Sequence, residues 1–370
     1  MRIKIIDLPD YETDPIIIAD HLKEVLKTIR KNKLARDLIG EDERSSEFEV
    51  GEFDEFAEVL SSGIDLTMFD KRRIAERASK LAKTRVRAAG VSHLKREEYD
   101  RLKPGLHGMS AVMPRGEDWV DEVAAALHEE MPWMAPATEY AWHEFRLAAK
   151  RGNPITIRPV ILNGPPGIGK SVWARAVAEA LHLPMAEIDA SKGGAGMALV
   201  GLERGWGTAQ AGRPIDLMLA KTVANPMIIV DEICKATSRT STRGPTYSFA
   251  DALLSLLEPA TARAWDCPYF RVTFDLSHLS WILTANNVDL VSEPVRSRCA
   301  VIEIPDVTEA QLLSFATRRA AKLGLSDEAR DAVLDAIVLA PAATGRRLCL
   351  RDVVRMLTRA EMLEGRAPLH

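Results

Sequence analysis

The stretch that decides the fold of this chain is Gly164-Pro165-Pro166-Gly167-Ile168-Gly169-Lys170-Ser171-Val172. It fits the pattern G-x-x-x-x-G-K-[ST], in which glycines let the backbone wrap so that its N–H groups face one point. An apolar run ending at Leu162 predicts a strand before this loop, and residues 171–181 predict a helix after it. Because a helix N-terminus adds partial positive charge, the arrangement predicts a phosphate-binding loop.

Two side chains of this loop have expected roles in binding a nucleoside triphosphate. Lys170 is expected to reach the β- and γ-phosphates, and the Ser171 hydroxyl to ligate Mg²⁺. A glycine-rich turn without function is the alternative interpretation. The order of strand, loop and helix disfavours that alternative, so ATP and Mg²⁺ are the expected ligands.

A second acidic motif follows about sixty residues after the loop. Met227 to Val230 is an apolar run, and it ends in the paired carboxylates Asp231 and Glu232. A buried strand delivers such residues to the carboxyl edge of a sheet, where ligands bind in open α/β folds. Asp231 is expected to hold Mg²⁺, and Glu232 to orient and polarise the attacking water.

Short β-branched runs alternate with helical segments from Ile155 onward, which predicts an α/β domain with a mostly parallel, five-stranded sheet between helices. The predicted strands are Ile155–Leu162, Met185–Asp189, Met227–Val230, Trp281–Thr284 and Val301–Ile304. Strands stop after Pro305, and Thr308 to Gln311 forms a capping box that opens a helix. The predicted domains are a mainly helical N-terminal region over 1–105, a linker with two helices over 106–153, the α/β domain over 154–305 and a helical lid over 306–370.

Charge is segregated in the N-terminal region. Glu41 to Leu60 carries nine acidic residues against one basic, and Lys71 to Pro104 carries twelve basic against four acidic. This pattern indicates either an interaction surface or two solvated faces that pair with each other. Gly105 to Asp118 is glycine-rich and proline-containing, which predicts a linker.

Composition excludes several classes of protein. The formal net charge is −4, so no global basic field indicates nucleic acid or anionic lipid. No basic cap with an apolar run opens the chain, and no apolar stretch approaches bilayer length, so we expect a cytoplasmic protein without a membrane partner. The four cysteines are far apart in sequence and are expected to be free thiols.

The two motifs resemble the Walker A and Walker B elements of AAA+ ATPases. Further blocks are similar to the ATPase module of Lon proteases, in the same order and spacing, over about residues 154–363. These blocks are Asp231 to Lys235, Ala252 to Pro259, Phe274 to Ser277 and Leu283 to Asn287. Lon's Ser-Lys peptidase domain is expected to be absent, because this sequence ends seven residues after Leu363.

The resemblance implies three polar catalytic residues beyond the two motifs. Asn286 matches the sensor-1 residue that helps to place the water. Arg298 matches the arginine finger that acts on ATP held by a neighbouring subunit, and Arg296 is the near alternative. Arg347 matches the sensor-2 residue of the lid; Arg346 and Arg351 are its neighbours on or near the same helix.

The resemblance also implies a loop that grips substrate in a central pore. Gly201 to Arg213 matches the first pore loop, in which Trp206 would act as an aromatic paddle. Gly207 stands where Lon-type modules place an apolar residue. A tryptophan folded back onto the loop base is the alternative. Ser238 to Tyr247 falls where a second pore loop would lie.

The expected protein is therefore an ATP-hydrolysing motor that assembles as a hexameric ring and remodels protein substrates, with a separate peptidase or adaptor as a further partner. Nucleic-acid remodelling of the clamp-loader kind is the alternative, since Ser297-Arg298-Cys299 also resembles a clamp-loader motif. A third hypothesis is a regulatory switch that binds ATP tightly and hardly hydrolyses it.

Overall fold

The protein is described by a computed structural model, which covers residues 1–8, 11–39, 65–204, 209–236, 249–344 and 347–364. The chain divides into two compact units. One contains Met1–Asp7 and Arg101–His370, and the other contains Leu8–Asp100. The nucleotide motifs all belong to the first unit.

The strands are β1 (Arg2–Ile3), β2 (Met109–Ser110), β3 (Val160–Asn163), β4 (Met185–Asp189), β5 (Met227–Asp231), β6 (Trp265–Asp266), β7 (Thr273–Phe274), β8 (Ser280–Ala285) and β9 (Ala300–Glu303). The α-helices are α1 (Pro15–Ile39), α2 (Met68–Ala88), α3 (Arg96–His107), α4 (Glu117–Glu130), α5 (Ala135–Arg151), α6 (Lys170–Ala180), α7 (Ala195–Val200), α8 (Arg213–Lys221), α9 (Phe249–Leu257), α10 (Pro259–Ala262), α11 (Glu293–Arg296), α12 (Glu309–Leu323), α13 (Asp327–Thr344) and α14 (Leu350–Glu364). No helix of the described ranges is both long and apolar enough to cross a membrane.

A five-stranded parallel sheet in the order β4-β5-β8-β3-β9 forms the centre of the first unit. The middle strands are covered on both faces, so β8 is buried along its whole length and β5 is buried up to Asp231. Such strands read as continuous apolar runs rather than as alternating patterns. The predicted fold class, an α/β core with a helical C-terminal region, is confirmed.

The register of the sheet brings the ends of its middle strands together. Asn163 at the end of β3 lies opposite Ala285 of β8, and Val230 of β5 lies opposite Leu283. The residues that follow these positions therefore emerge at one edge. They include the phosphate loop, the paired acids of the second motif and Asn286.

The first predicted strand is shorter than expected. It begins at Val160 rather than Ile155, because the backbone N–H groups of Ile155 and Ile157 donate to Val112 O and to the Ser280 hydroxyl instead of joining a ladder. Both isoleucines are buried all the same. An apolar run indicates burial. A strand also needs regular backbone hydrogen bonds to a neighbouring strand, which Ile155 and Ile157 do not form.

The C-terminal helices α12, α13 and α14 pack on one another after the last sheet strand. The predicted capping box is confirmed, since the Thr308 hydroxyl accepts from Gln311 N and the Gln311 side chain accepts from Thr308 N. Their apolar faces join the core of the sheet domain through Leu312, Val353 and Leu357. We call this helical bundle the lid, because it falls within the lid region predicted over 306–370.

The linker expected from Gly105 to Asp118 is partly wrong. Gly105 lies inside α3, where an added Cβ would come within 2.6 Å of Ile6 Cδ1, so this glycine serves close packing. β2 follows and pairs antiparallel with β1. The first residues of the chain also reach the body of the unit: Asp275 N donates to Ile5 O at 2.8 Å, and Ile6 forms a bridge with Phe274.

The second unit contains a hairpin of α1 and α2. A small apolar seam joins the helices, with Ile18, Ala78 and Ala82 buried in it. Arg30 forms an ion pair with Asp70 at 2.8 Å. Asp70 also completes a capping box with Thr67 that starts α2.

Candidate functional site

The phosphate loop has the backbone that its glycines predict. Gly167 and Gly169 have φ values of 81° and 92°, in the left-handed region that side chains disfavour. At Gly164 the reason is a close approach, since an added Cβ would lie 2.5 Å from Ile304 O. The loop ends where α6 begins, at Lys170. The helix N-terminus therefore faces the space that the loop encloses.

Lys170 is a buried cation with three acceptors. Its ammonium donates to Gly164 O at 2.7 Å, to Pro165 O at 2.9 Å and to Asn286 Oδ1 at 3.0 Å. Burial lowers its pKa to about 8, against the opposing influence of Asp231 and neighbouring groups. The structure thus brings Lys170 and Asn286 together, although they are 116 positions apart.

Ser171, Asp231 and Thr284 form a hydrogen-bonded set beside this lysine. The Ser171 hydroxyl donates to Asp231 Oδ1 at 2.7 Å, and the Thr284 hydroxyl donates to the same oxygen. Hydroxyl and carboxylate oxygens are the donors that Mg²⁺ prefers, with phosphate oxygens completing its octahedron. The residues present therefore fit a magnesium ion, which one carboxylate can hold when a triphosphate is bound.

Thr284 is a site residue that sequence reasoning missed. Besides donating to Asp231, its hydroxyl accepts from Glu232 N at 3.1 Å, so it joins the two strands at their ends. Its position two residues before Asn286 on a buried strand was the available signal. A polar side chain inside an apolar run needs a partner, and the acids of the neighbouring strand supply one.

Glu232 follows β5 in a left-handed backbone conformation, with φ 55°. Both of its carboxylate oxygens accept from Lys235, at 2.8 and 2.9 Å. The hydrogen bond to the neighbouring carboxylate raises the pKa of Lys235, which keeps this ammonium charged. Glu232 lines the same cavity as Lys170 and Asp231.

A cavity of about 690 Å³ joins these groups to the lid and to α4. Its lining includes the loop, the acids and Asn286. It also includes large apolar side chains, namely Met131, Trp133, Phe315, Leu350 and Val354. A cavity lined by both charged and large apolar groups suits a nucleotide, whose phosphates and base have these two characters.

Trp133 is a second residue that the sequence did not reveal. Its indole N–H donates to Ile168 O of the phosphate loop at 2.9 Å, and its ring meets Phe315 of the lid edge-on, with centroids 5.9 Å apart. It lies in the short 3₁₀ turn between α4 and α5. No motif marks this position, which connects the loop, the lid and the turn through one side chain.

The lid presents Arg351 to the cavity rather than Arg347. The side chain of Arg347 is 89% exposed, lies 3.8 Å from Asp306 and does not line the cavity. Arg351 stands in the first turn of α14 and lines it, beside Gly167 of the loop. Because α14 starts only at Leu350, Arg347, the residue expected as sensor 2, precedes this helix, whereas Arg351 lies in its first turn. Arg346 lies outside the described residues.

Four basic side chains line the lid side of the cavity, and they differ in their partners. Arg318 donates to the last carbonyls of α4, at Glu129 and Glu130, and Lys322 pairs with Glu130 at 3.3 Å. Arg319 and Arg351 make no hydrogen bond or ion pair among the residues that the structure describes. Two arginines therefore face the cavity without an internal partner.

The candidate arginine fingers lie away from this cavity. Arg298 donates to Pro294 O at 2.9 Å and lies 3.3 Å from Glu258. Arg296 lies 3.5 Å from Asp289. Neither lines the cavity of its own chain. Arg296 is the last residue of α11 and Arg298 follows that helix, between β8 and β9.

The candidate pore-loop residues Trp206 and Gly207 lie outside the described residues, as does Ser238 to Tyr247. The cysteines are free thiols, as expected. Two of them lie beside the nucleotide motifs. The sulfur of Cys234 accepts from Asn286 N at 3.4 Å, and Cys349 packs where a side chain at Gly167 would clash.

Sequence comparisons identify relatives over the same region. The model of the ATPase family associated with various cellular activities (AAA) matches residues 160–306. The peroxisomal Lon protease homolog 2 of Zea mays is 32% identical over 173 residues, which are 46% of this chain and 19% of that protein. The Lon protease of Syntrophus aciditrophicus (strain SB) is 35% identical over 173 residues, which are 46% of this chain and 21% of that protein.

The chain spans about a fifth of the length of these relatives. Among solved structures, a closed-state reconstruction of Hsp104 with ATPyS and FITC casein matches with a TM-score of 0.52 and 14% identity, over 81% of this chain and 55% of that one. At this identity the likeness concerns the fold alone. Taken with the geometry of the loop and the paired acids, residues 160–306 form an ATPase domain of the AAA family, related in sequence to the ATPase region of Lon proteases.

Proposed function

We propose that this protein is an ATP-hydrolysing ring motor that remodels, unfolds or threads protein substrates. The observation that carries the proposal is the convergence of Lys170, Asp231, Glu232 and Asn286 on one cavity closed by the lid. Residues 154–305 act as the large ATPase domain and 306–370 as its lid. Residues 106–153 lead into the ATPase domain. The N-terminal region expected over 1–105 is a separate unit only over Leu8–Asp100, because Met1–Asp7 and the residues from Arg101 onward belong to the unit that contains the nucleotide motifs.

The residues at the sheet edge divide the work of binding and hydrolysis. Bound ATP would supply the phosphoryl group. Mg²⁺ would supply positive charge that offsets the negative charge on the phosphate oxygens during transfer. Lys170 and the loop N–H groups bind the phosphates, while Ser171 and Asp231 hold the metal. Glu232 accepts a proton from the attacking water once its carboxylate leaves Lys235, and Asn286 orients that water.

The lid contributes an arginine from the opposite side of the cavity. We assign this role to Arg351, because it lines the cavity and has no hydrogen bond or ion pair with other described residues, whereas Arg347 is exposed and lies near Asp306. A guanidinium placed against developing phosphate charge stabilises the transition state. Movement of α14 with nucleotide state would then couple hydrolysis to the position of the lid.

A ring is needed to complete the site. Arg298 and Arg296 lie outside their own cavity, so either can serve ATP only in a neighbouring subunit. A hexameric ring with a central pore follows from this reasoning and from the resemblance to AAA+ motors. In such a ring Trp206 and Gly207 would grip an extended chain. A separate peptidase or adaptor is the further partner we propose.

Steady-state hydrolysis of ATP by the purified protein tests the enzymatic part of the proposal. Lys170→Ala removes the cation that binds the phosphates and serves as the inactive control. Tight ATP binding with negligible hydrolysis by the unaltered protein would favour the regulatory switch instead. Hydrolysis that persists in Lys170→Ala would point to a contaminating enzyme.

Mixing two inactive variants tests the shared site. Arg298→Ala leaves Glu232 intact, and Glu232→Gln leaves Arg298 intact. In a mixed ring some interfaces contain both functional groups, so hydrolysis should recover above either variant alone. An Arg296→Ala partner distinguishes the two finger candidates. Equal activity in monomeric and oligomeric fractions would contradict the proposal.

Unfolding of a fluorescent protein with an unstructured tail tests the substrate class. The intact protein should lower the fluorescence with ATP and leave it unchanged with a non-hydrolysable analogue. Trp206→Ala should keep ATP hydrolysis and lose unfolding, because an aromatic paddle supplies contact area to any extended chain. Loss of both activities would indicate that Trp206 is needed for folding or for ATP hydrolysis rather than for gripping substrate.

A further inference from the structure

The outward side of α2 carries a row of cations that the proposed ATPase function does not use. We call it the basic face, and it consists of Arg72, Arg73, Arg77, Lys80, Lys83 and Arg87. All six residues are exposed. The opposite side of the helix contains the buried Ile74, Ala78 and Ala82. At 1.5 Å per residue, the row is about 22 Å long.

Most of these cations form no ion pair with the other residues that the structure describes. Arg72 pairs with Glu76, the one acidic residue on this side of α2, at 3.3 Å. The other five form no ion pair in the part of the chain that the structure describes. On α1 the situation is reversed, since Lys23 and Lys27 pair with Asp20 and Glu24 at 2.7 and 2.9 Å.

The chemistry of the basic face favours one class of polyanion. Its remaining positions hold Glu76 and Thr84, so it lacks the apolar centre of a protein interface and the apolar face of a membrane-surface helix. Phe69, at its N-terminal end, lies under the Arg73 guanidinium at 5.6 Å. Phe69 is 66% exposed, but it is the one aromatic residue of α2, so this face lacks the successive stacking platforms typical of single-strand binders. A duplex phosphate backbone requires only cations spaced along a surface.

We infer that the basic face of α2 binds duplex nucleic acid through its phosphate backbone. The proposed contacts are to phosphates, which carry no sequence information, so we expect binding to be independent of sequence. The net charge of −4 does not oppose this, because that figure averages acidic and basic regions, and local potential decides such contacts. The face belongs to the unit Leu8–Asp100, apart from the nucleotide cavity.

Fluorescence anisotropy of the full chain with a labelled random-sequence duplex of about 20 base pairs tests the inference. Binding should be strong at low salt and should weaken on a logarithmic scale with a slope of about −0.9 per neutralised phosphate. The double variant Arg77→Gln/Lys80→Gln should bind at least about tenfold more weakly at low salt and should lower the slope by about 2. A second duplex of different sequence should bind equally.

The matched control is Lys23→Gln/Lys27→Gln, which removes the same charge from the paired lysines of α1. It should change the affinity less than about twofold, because these lysines are already neutralised. Circular dichroism should show both variants folded, and ATP hydrolysis should be unaffected in both. The result is therefore separate from the proposed motor function.

Three results would overturn the inference: no duplex binding at low salt, equal loss in the two double variants, or binding to polyglutamate or anionic vesicles as tight as to the duplex. The last would indicate an acidic protein or a membrane surface. Preference for single strands over the duplex would contradict the stacking argument.

Discussion

The sheet edge and the lid approach the same cavity with charged groups that are held in opposite ways. At the sheet edge, Lys170 has three acceptors and Asp231 accepts from two hydroxyls. On the lid, Arg319 and Arg351 line the cavity without a hydrogen bond or ion pair among the described residues. One side is preorganised, and the other keeps its cations available for a ligand.

The difference between the two sides indicates which groups act on the chemical step and which act on ligand binding. Preorganised groups need no reordering when charge develops in a transition state, so they act on the chemical step. Arg319 and Arg351, which have no partner among the described residues, would lose side-chain freedom on binding a ligand. Their contribution therefore appears in the affinity for that ligand. Changes at the sheet edge should therefore act mainly on kcat, and changes on the lid should act on affinity as well.

The largest expected effect comes from Glu232→Gln. Losing the general base should lower kcat for ATP hydrolysis by about 10²–10⁴-fold, while nucleotide affinity stays within a few-fold. Glu179→Gln, which alters another carboxylate lining the cavity, is the control and should stay near the unaltered rate. A parallel loss of affinity in Glu232→Gln would show that this edge is not preorganised.

Arg351→Ala should come next, with a loss of kcat/KM on the order of 10²-fold that includes a raised KM. Arg347→Ala serves as its control, because that side chain is exposed and lies outside the cavity. Steady-state kinetics of the two variants checks the assignment. A larger effect from Arg347 would restore the position expected from the sequence resemblance.

The lowered pKa of Lys170, about 8, predicts a pH dependence of nucleotide binding. ATP favours the charged lysine, so affinity should be full below pH 8 and fall up to about tenfold per unit above it. Without nucleotide, the unfolded chain keeps this proton up to the ordinary lysine pKa of 10.5, so the free energy of unfolding should rise between about pH 8 and pH 10.5. Calorimetric titration and urea denaturation measure the two trends. Flat affinity from pH 7 to 9 would contradict the prediction.

Thr284→Val should have the smallest effect. It leaves the Asp231 carboxylate and the Glu232 N–H without one partner each, which should lower the free energy of unfolding by about 1–3 kcal/mol. Thr358→Val, at an exposed threonine that bonds only to its own helix, is the control and should change stability by less. Urea denaturation of both variants makes the comparison.

The sequence could predict the sheet edge because its chemistry demands particular residue types at fixed spacing. Glycines that wrap a loop, a lysine at a helix N-terminus and paired acids after an apolar run all leave a local pattern. Thr284 and Trp133 left none, since their contacts lie across strands and across the cavity. Arg347 was expected from a neighbouring pattern, but the start of α14 decides which arginine faces the ligand.

Contacts between residues distant in sequence also explain why the linker prediction at Gly105 is wrong. Gly105 was interpreted as a flexible position, whereas it is a helical residue whose missing side chain admits Ile6. A glycine alone does not distinguish freedom from close packing. The partner that decides between them is a hundred positions away in the chain, where no local window can include it.

The pairing of β1 with β2 makes residues 8–100 an insertion within the ATPase body rather than a detachable tail. Ile5 and Ile6 are each 1% exposed, and they belong with Arg101–His370. Removing everything up to residue 100 would therefore remove apolar contacts from the unit that contains the nucleotide motifs. Excising only the insertion, and rejoining Asp7 to Arg101 through a short glycine-serine connection, would spare them.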